Sequence, residues 1–222
     1  MKDRRGITRS RVVVQAPAVP GVVPGTRVVV LVEGASDRVA VEAAARRLGC
    51  DLGGVSVVSA AGVGNIAALA AQYRAGGVRL RGLCDAAEVP WVCRALTRAD
   101  VGIALDRAGL ERLGFFICDR DLEDELIRAL GVERVLDLVA EQGDQAAFAT
   151  LQRQKAWRDA ALSDQIRRFL GAGAGRKIRY AGVFVQAVAL ERMPLPLRAV
   201  LGLAQQEPAG DGPLNPGGNY AG

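Results

Sequence analysis

Histidine is absent from all 222 residues. That absence removes serine–histidine–aspartate and cysteine–histidine nucleophiles, histidine–zinc hydrolysis and histidine general bases from the available chemistry. Cysteine is scarce too. Cys50, Cys84, Cys93 and Cys118 form no C-x-x-C pair, which argues against a zinc site and for a reducing compartment. Two of them end apolar segments and read as small buried hydrophobes. No apolar run reaches the roughly 20 residues of a membrane-spanning helix, and residues 1–11 lack the apolar centre of a signal peptide. A soluble, cytoplasmic protein with no membrane partner is expected. There is no G-x-x-x-x-G-K-[ST] and hence no P-loop, and the first strand-to-helix turn has no G-x-G-x-x-G. An enzyme built from what remains works through carboxylates and a hard metal ion, or through lysine.

Hydrophobic residues make up 50% of the chain, enough for a substantial core in one domain with tails or a small appendage. The formal charge is +5, and its distribution says more than its size. Basic residues crowd positions 1–11 (Lys2, Arg4, Arg5, Arg9, Arg11) and return over 153–179, while most of the acid lies between. Such asymmetry points to an anionic partner, nucleic acid first, against the plainer reading of a solvated arginine-rich surface.

The chain is organised around RVVVLVEGASD, residues 27–37. An apolar run without alternation reads as a strand buried on both faces, as in a parallel sheet. Glu33 stops it, Gly34 relieves the turn, and Ser36 or Asp37 is expected to cap a helix running to Leu48. Further strands are expected at Val55–Ser59, at 79–84 ending on Asp85, and at 114–118. Helices are expected at 65–75 and after Asp119, with a helix beginning near Pro90. Beyond Val132 no strand pattern appears. Helices are expected at Val132–Glu141, 144–155, 156–170 and 178–192, with a short one at 197–204. Val12–Val14 suit an edge strand.

Acids fall just past three strands: Glu33, Asp85, and the set Asp119, Asp121 and Glu123. In a parallel sheet these ends share one edge, and carboxylates brought together need a cation among them, ordinarily Mg²⁺ or Mn²⁺. For one acid alone an N-cap or a solvated turn is the commoner role. Three sets at successive strand ends carry more weight.

The succession VVVLVEGASD, SAAGVGN, LRGLCDAAE resembles the Toprim domain of topoisomerases, primases and several nucleases. FFICDRDLEDEL and GRKIRYA beyond it resemble more specifically the nuclease half of the overcoming-lysogenization-defect (OLD) endonucleases. The resemblance implies a Rossmann-like parallel sheet of about four strands flanked by helices. It divides the chain into a basic, Pro-rich arm (1–26), a Toprim domain (27–131), a helical C-terminal extension that completes the active site (132–204) and a disordered tail (205–222).

By the same resemblance the activity is metal-dependent hydrolysis of DNA with one or two Mg²⁺ or Mn²⁺ ions. Glu33 is then a ligand or general acid/base, supported by Asp37; Asp85 is a ligand, and Asp121 and Glu123 serve a second ion. Lys177 steadies the phosphate in the transition state. Gly62, Gly64 and Asn65 are expected to meet a backbone phosphate at a helix N-terminus, and Arg176, Lys177 and Arg179 to form part of a DNA-facing surface. Two departures stand out. The family's Asp-x-Asp is Asp85-Ala86-Ala87, leaving Glu88 to reach in from the next position, and the sequence holds no P-loop of the family's upstream ATPase module. Either the ATPase is a separate chain or the domain works without one; a homodimer is an open alternative to a monomer. The rival readings are a nucleic-acid-binding or regulatory subunit with an eroded metal site, and an RNA-processing Toprim nuclease.

Overall fold

The structure, a computed structural model, describes residues 24–203 except 104 and 174. The expectations for nearly all of the arm, including Val12–Val14, and for the tail lie outside the described residues. Four strands, β1 (Val28–Val32), β2 (Val55–Ser59), β3 (Arg79–Asp85) and β4 (Phe115–Cys118), pair in parallel in the order β2-β1-β3-β4. Helix α1 (Ala35–Arg47) joins β1 to β2, and α2 (Ile66–Ala75) carries the chain across β1 to β3. Helices α3 (Val89–Arg98) and α4 (Arg107–Arg112) lead on to β4. After the sheet come α5 (Leu122–Leu130), α6 (Val132–Glu141), α7 (Gln145–Gln152), α8 (Leu162–Gly171), α9 (Arg176–Ala187) and α10 (Leu195–Val200).

The unbroken apolar run of β1 is explained by two cores. Val29 and Leu31 face one of them, with Ile66 and Tyr73 of α2, Val92 and Leu96 of α3, and Leu110 of α4. Val30 and Val32 face the other, with Val41 of α1, Leu126 of α5, Ile166 of α8, Phe184 of α9 and Leu197 of α10. Side chains alternate across a strand, so a strand covered on both faces must be apolar throughout. Helix α1 and the C-terminal helices thus cover one face, and α2–α4 the other. The sheet is tight at its centre. A Cβ on Gly82 of β3 would lie 2.5 Å from the Phe115 ring and 2.9 Å from the Leu31 carbonyl, so only glycine fits there.

Several helix starts differ from the sequence reading, three of them for visible reasons. Helix α1 begins at Ala35, and Asp37 lies inside its first turn, where Oδ2 accepts from the Gly34 amide at 2.8 Å. Helix α5 is capped by Asp121 and not Asp119: Asp121 Oδ1 accepts from the Asp124 amide at 2.8 Å. Helix α8 begins at Leu162, whereas 156–161 turn. The buried Gln165 causes this. Its amide donates to the Trp157 and Ala160 carbonyls at 2.9 and 3.1 Å and accepts from Gln152, satisfying carbonyls that a helix would otherwise bind. The last long helix, α9, ends at Ala187, with a separate 3-10 turn at Leu190–Arg192.

Helix α9 packs along α1 and is fixed by an aromatic row, Phe148–Phe169–Tyr180–Phe184, with edge-to-face centroid separations of 5.2, 6.4 and 5.4 Å. Asp144, just before α7, binds three groups of α9. Its Oδ2 accepts from the Tyr180 hydroxyl at 2.9 Å, pairs with Arg179, and lies 3.7 Å from Arg176 Nε. Removing this carboxylate leaves a buried hydroxyl and a mostly buried guanidinium without it. Asp144→Ala is expected to cost about 2–3 kcal/mol, read as a lowered urea midpoint at unchanged slope.

Candidate metal and phosphate site

The strand order reverses at β1: the chain leaves β1 toward β2 on one side and returns to β3 on the other. In open parallel sheets the crevice at such a reversal, at the carboxyl ends of the strands, is where ligands bind. Glu33 follows the last residue of β1 and Asp85 is the last of β3, so two carboxylates stand at its mouth. The turn after β3 adds a third. Ala86–Glu88 is one turn of 3-10 helix capped by Asp85. Residues three apart eclipse in that helix, which carries Glu88 back over Asp85. One carboxylate oxygen from each of Glu33, Asp85 and Glu88 lies within 4.8 Å of the other two. The turn geometry therefore returns a carboxylate to the place that Ala87 leaves bare.

A second group flanks the first. Glu123, in the first turn of α5, is buried and meets Lys177 Nζ from α9 at 3.2 Å. Asp121 is held by Arg167 of α8. Asp37 is close enough to sense Glu33, Asp121 and Lys177. Asp119 stays at the surface, 3.7 Å from Arg128. The ends of β1 and β3 and the first turns after them thus supply Glu33, Asp37, Asp85 and Glu88. The late helices supply Asp121 and Glu123 together with both cations.

Burial is the largest cause of every carboxyl shift here. Asp85 is pushed up to about 8 by burial, then by Asp121, Glu88, Asp37 and Glu33. Glu88 is raised by burial and then by Glu33 and Asp37. Burial also raises Asp37 and Glu123, against the opposing pull of Lys177 on both and of the Gly34 amide on Asp37. Burial disfavours the Lys177 charge, but Glu123 and Asp37 outweigh it and the ammonium is held above its ordinary value. Nearby Cys84 is pushed up to about 12 by burial and then by Glu88, and Cys118 rises for the same first reason. The donors that converge are carboxylate oxygens, which suit a hard divalent cation.

The remaining expected residues make contacts of their own. The Gly62 amide, at φ +119°, donates to the Glu33 carbonyl at 3.0 Å, and Asn65 Nδ2 donates back to the Ala60 carbonyl at 2.9 Å. The loop holding Gly62, Gly64 and Asn65 is closed on itself and braces the backbone that aims Glu33. Of the three basic residues at the start of α9, only Lys177 engages the acids. Arg176 donates to the Phe169 carbonyl at 3.0 Å and lies 4.0 Å over that ring, and Arg179 pairs with Asp144. Helical geometry turns 176 and 179 toward Asp144, off the line of 177. Arg167 escaped the sequence reading. Its partner lies 46 residues away, and nothing local distinguishes it from Arg168.

This sheet order, with Glu33 and Asp85 at the ends of its first and third strands, defines a Toprim-type α/β domain. Residues 26–86 match the family model described as overcoming lysogenization defect protein-like, TOPRIM domain. No curated protein matches the chain at a significant level. Among solved structures, the C-terminal region of the Xanthomonas campestris pv. campestris OLD protein, phased with iodine, is 24% identical with a TM-score of 0.61. The match covers 81% of this chain and 94% of that one. The same region phased with platinum is 22% identical with the same TM-score, over 80% and 91%. The C-terminal region of the Burkholderia pseudomallei OLD protein is 21% identical with a TM-score of 0.57, over 80% and 96%. At these identities the likeness is one of fold. Among the described residues no helix is long and apolar enough to cross a membrane.

Proposed function

We propose that this protein is a metal-dependent nuclease that hydrolyses phosphodiester bonds in DNA. The carrying observation is the convergence of Glu33, Asp85 and Glu88 within 4.8 Å at the strand-order reversal. Their hard oxygen donors fit Mg²⁺ or Mn²⁺. When bound, such an ion polarises the phosphoryl group and lowers the pKa of a water. Glu33 and Asp85 are aimed by the strand ends, and Glu88 by the 3-10 turn, so the ligand set is fixed before substrate arrives. Lys177, anchored at Glu123, presents its ammonium to the phosphate oxygens on which negative charge grows, and a preorganised cation of this kind favours the transition state. Arg167 neutralises Asp121, which would otherwise repel the incoming backbone.

One ion is the reading the charges favour. Asp121 and Glu123 already have Arg167 and Lys177, while the carboxylates of Glu33, Asp85 and Glu88 make no ion pair among the described residues. Titration with Mn²⁺ is expected to give a stoichiometry near one per chain. Supercoiled plasmid is expected to be nicked in Mg²⁺ or Mn²⁺ and left intact in EDTA. A stoichiometry of two refutes the single-ion reading, and intact plasmid under all conditions refutes the nuclease. Ala87, in place of the family's second aspartate, favours a second reading: a nucleic-acid-binding subunit without cleavage. It predicts salt-sensitive DNA binding alone. A parallel RNA substrate separates the RNA-processing alternative.

A further inference from the structure

Beside the carboxylates lies a cleft of about 440 Å³ lined by Arg120, Trp157, Asp164, Arg167 and Arg168. It opens from the site itself: Arg167 is the residue that holds Asp121, and Arg120 precedes Asp121 in the chain. Its volume falls within the range of small-molecule sites, roughly 300–1,000 Å³. Three guanidinium groups face it against one carboxylate. Asp164 binds Arg120 at 2.7 Å and stands 3.9 Å from Arg167, which spaces the two arginines along one wall. Arg168 carries no carboxylate partner among the described residues, and its guanidinium lies over the Trp157 ring, 5.9 Å from the centroid, in a contact that an entering base would replace. Trp157 is partly buried, packed against the core and lining the cleft. The turn of 156–161 that displays it is the one Gln165 holds out of the helix.

Resting on the nuclease reading above, we infer that this cleft receives one unpaired nucleotide of the substrate strand, its base on the Trp157 ring and its phosphate on Arg168 and Arg120. An indole with adjacent guanidiniums is the combination that binds single-stranded nucleic acid, since every base has a stacking face and every linkage a charge. In a continuous duplex the base faces are covered by their neighbours and the ring has nothing to stack on. The cleft therefore selects strands that are single or frayed next to the scissile phosphate.

The test measures binding in EDTA, where no cleavage intervenes, by anisotropy of fluorescein-labelled 20-mers with the full chain. A single-stranded oligo(dA) is expected to bind at least 10-fold tighter than a blunt hairpin duplex. Trp157→Ala is expected to weaken the single strand by 10-fold or more and the duplex by less than twofold, while Trp157→Phe stays within threefold of wild type. Arg168→Ala is expected to weaken both probes and to flatten the salt dependence by about one unit of slope. In a Trp91→Phe background, the remaining Trp157 fluorescence is expected to be quenched by oligo(dA). Equal affinity for both probes, or an unchanged single-strand affinity in Trp157→Ala together with no quenching, overturns the inference. Oligo(rA) in the same assay shows whether the cleft distinguishes the sugars. Cleavage without this binding pattern refutes the cleft and leaves the nuclease; the pattern without cleavage does the reverse.

Discussion

Asp85→Asn is expected to reduce plasmid nicking in Mg²⁺ or Mn²⁺ by about a thousandfold while making the metal-free protein more stable. The two effects share one origin. Asp85 sits at a buried strand end with Asp121, Glu88, Asp37 and Glu33 acting on it, and its carboxyl is pushed up to about 8. Near neutral pH the folded protein has to hold a proton there or bear an uncompensated buried charge. Asparagine keeps the shape and removes that cost, so the melting temperature in EDTA is expected to rise. What disappears is the anionic donor, and with it the stabilisation that added Mn²⁺ gives the wild type. Removing one preorganised electrostatic group at a reacting centre typically costs 100- to 1,000-fold in rate, and here the lost group is also one of three ligands. Glu33→Gln is expected to behave alike in cleavage. Wild-type nicking in Asp85→Asn would end the mechanism, and a lower melting temperature in EDTA would contradict the burial argument.

In EDTA the wild-type protein is expected to be less stable at pH 8.5 than at pH 5.5, against the habit of most proteins. The sign follows from proton counts. Below about pH 3.8 both states hold the Asp85 proton and nothing is lost. Between there and about 8 the unfolded chain has released it while the folded chain retains it, so stability falls as pH rises. Glu88, Asp37 and Glu123 are raised as well and add in the same direction. A shift of this size carries at most about 6 kcal/mol over its whole range, and the narrower span from pH 5.5 to 8.5 with the partial opening of the sheet edge to water brings the expected loss to about 2–3 kcal/mol. Saturating Mn²⁺ reverses the slope, because bound carboxylates are held ionised. Calorimetric titration at pH 7 in buffers of different ionisation enthalpy is expected to show release of about one proton per metal ion. No release, or a metal-free stability that climbs from pH 5.5 to 8.5, would show that burial does not hold these acids protonated in the folded protein.

The sheet and half of the site are legible in the sequence for local reasons. An apolar run ended by a carboxylate states both that β1 is buried twice over and that Glu33 stands at its exit, and β3 repeats the pattern with Asp85. Parallel topology alone then brings the two acids together. Glu88 is half-legible: its nearness to Asp85 is written in the chain, but its direction depends on the turn being 3-10. The cationic half depends on packing. Lys177 is marked by the family resemblance, whereas Arg167, Arg176 and Arg179 sort themselves between Asp121, Asp144 and Phe169 only once α7, α8 and α9 are in place. The late start of α8 is hidden because one glutamine side chain replaces the backbone bonds that composition would assign to a helix.

The division of the site between early acids and late cations has a consequence for synthesis. A growing chain that has emerged as far as α5 displays all six carboxylates with neither Arg167 nor Lys177. Such an intermediate repels the polyanion it would later cut. Under the proposed reading the emerging polypeptide stays harmless to nucleic acid around the ribosome, and competence arrives only when α8 and α9 dock.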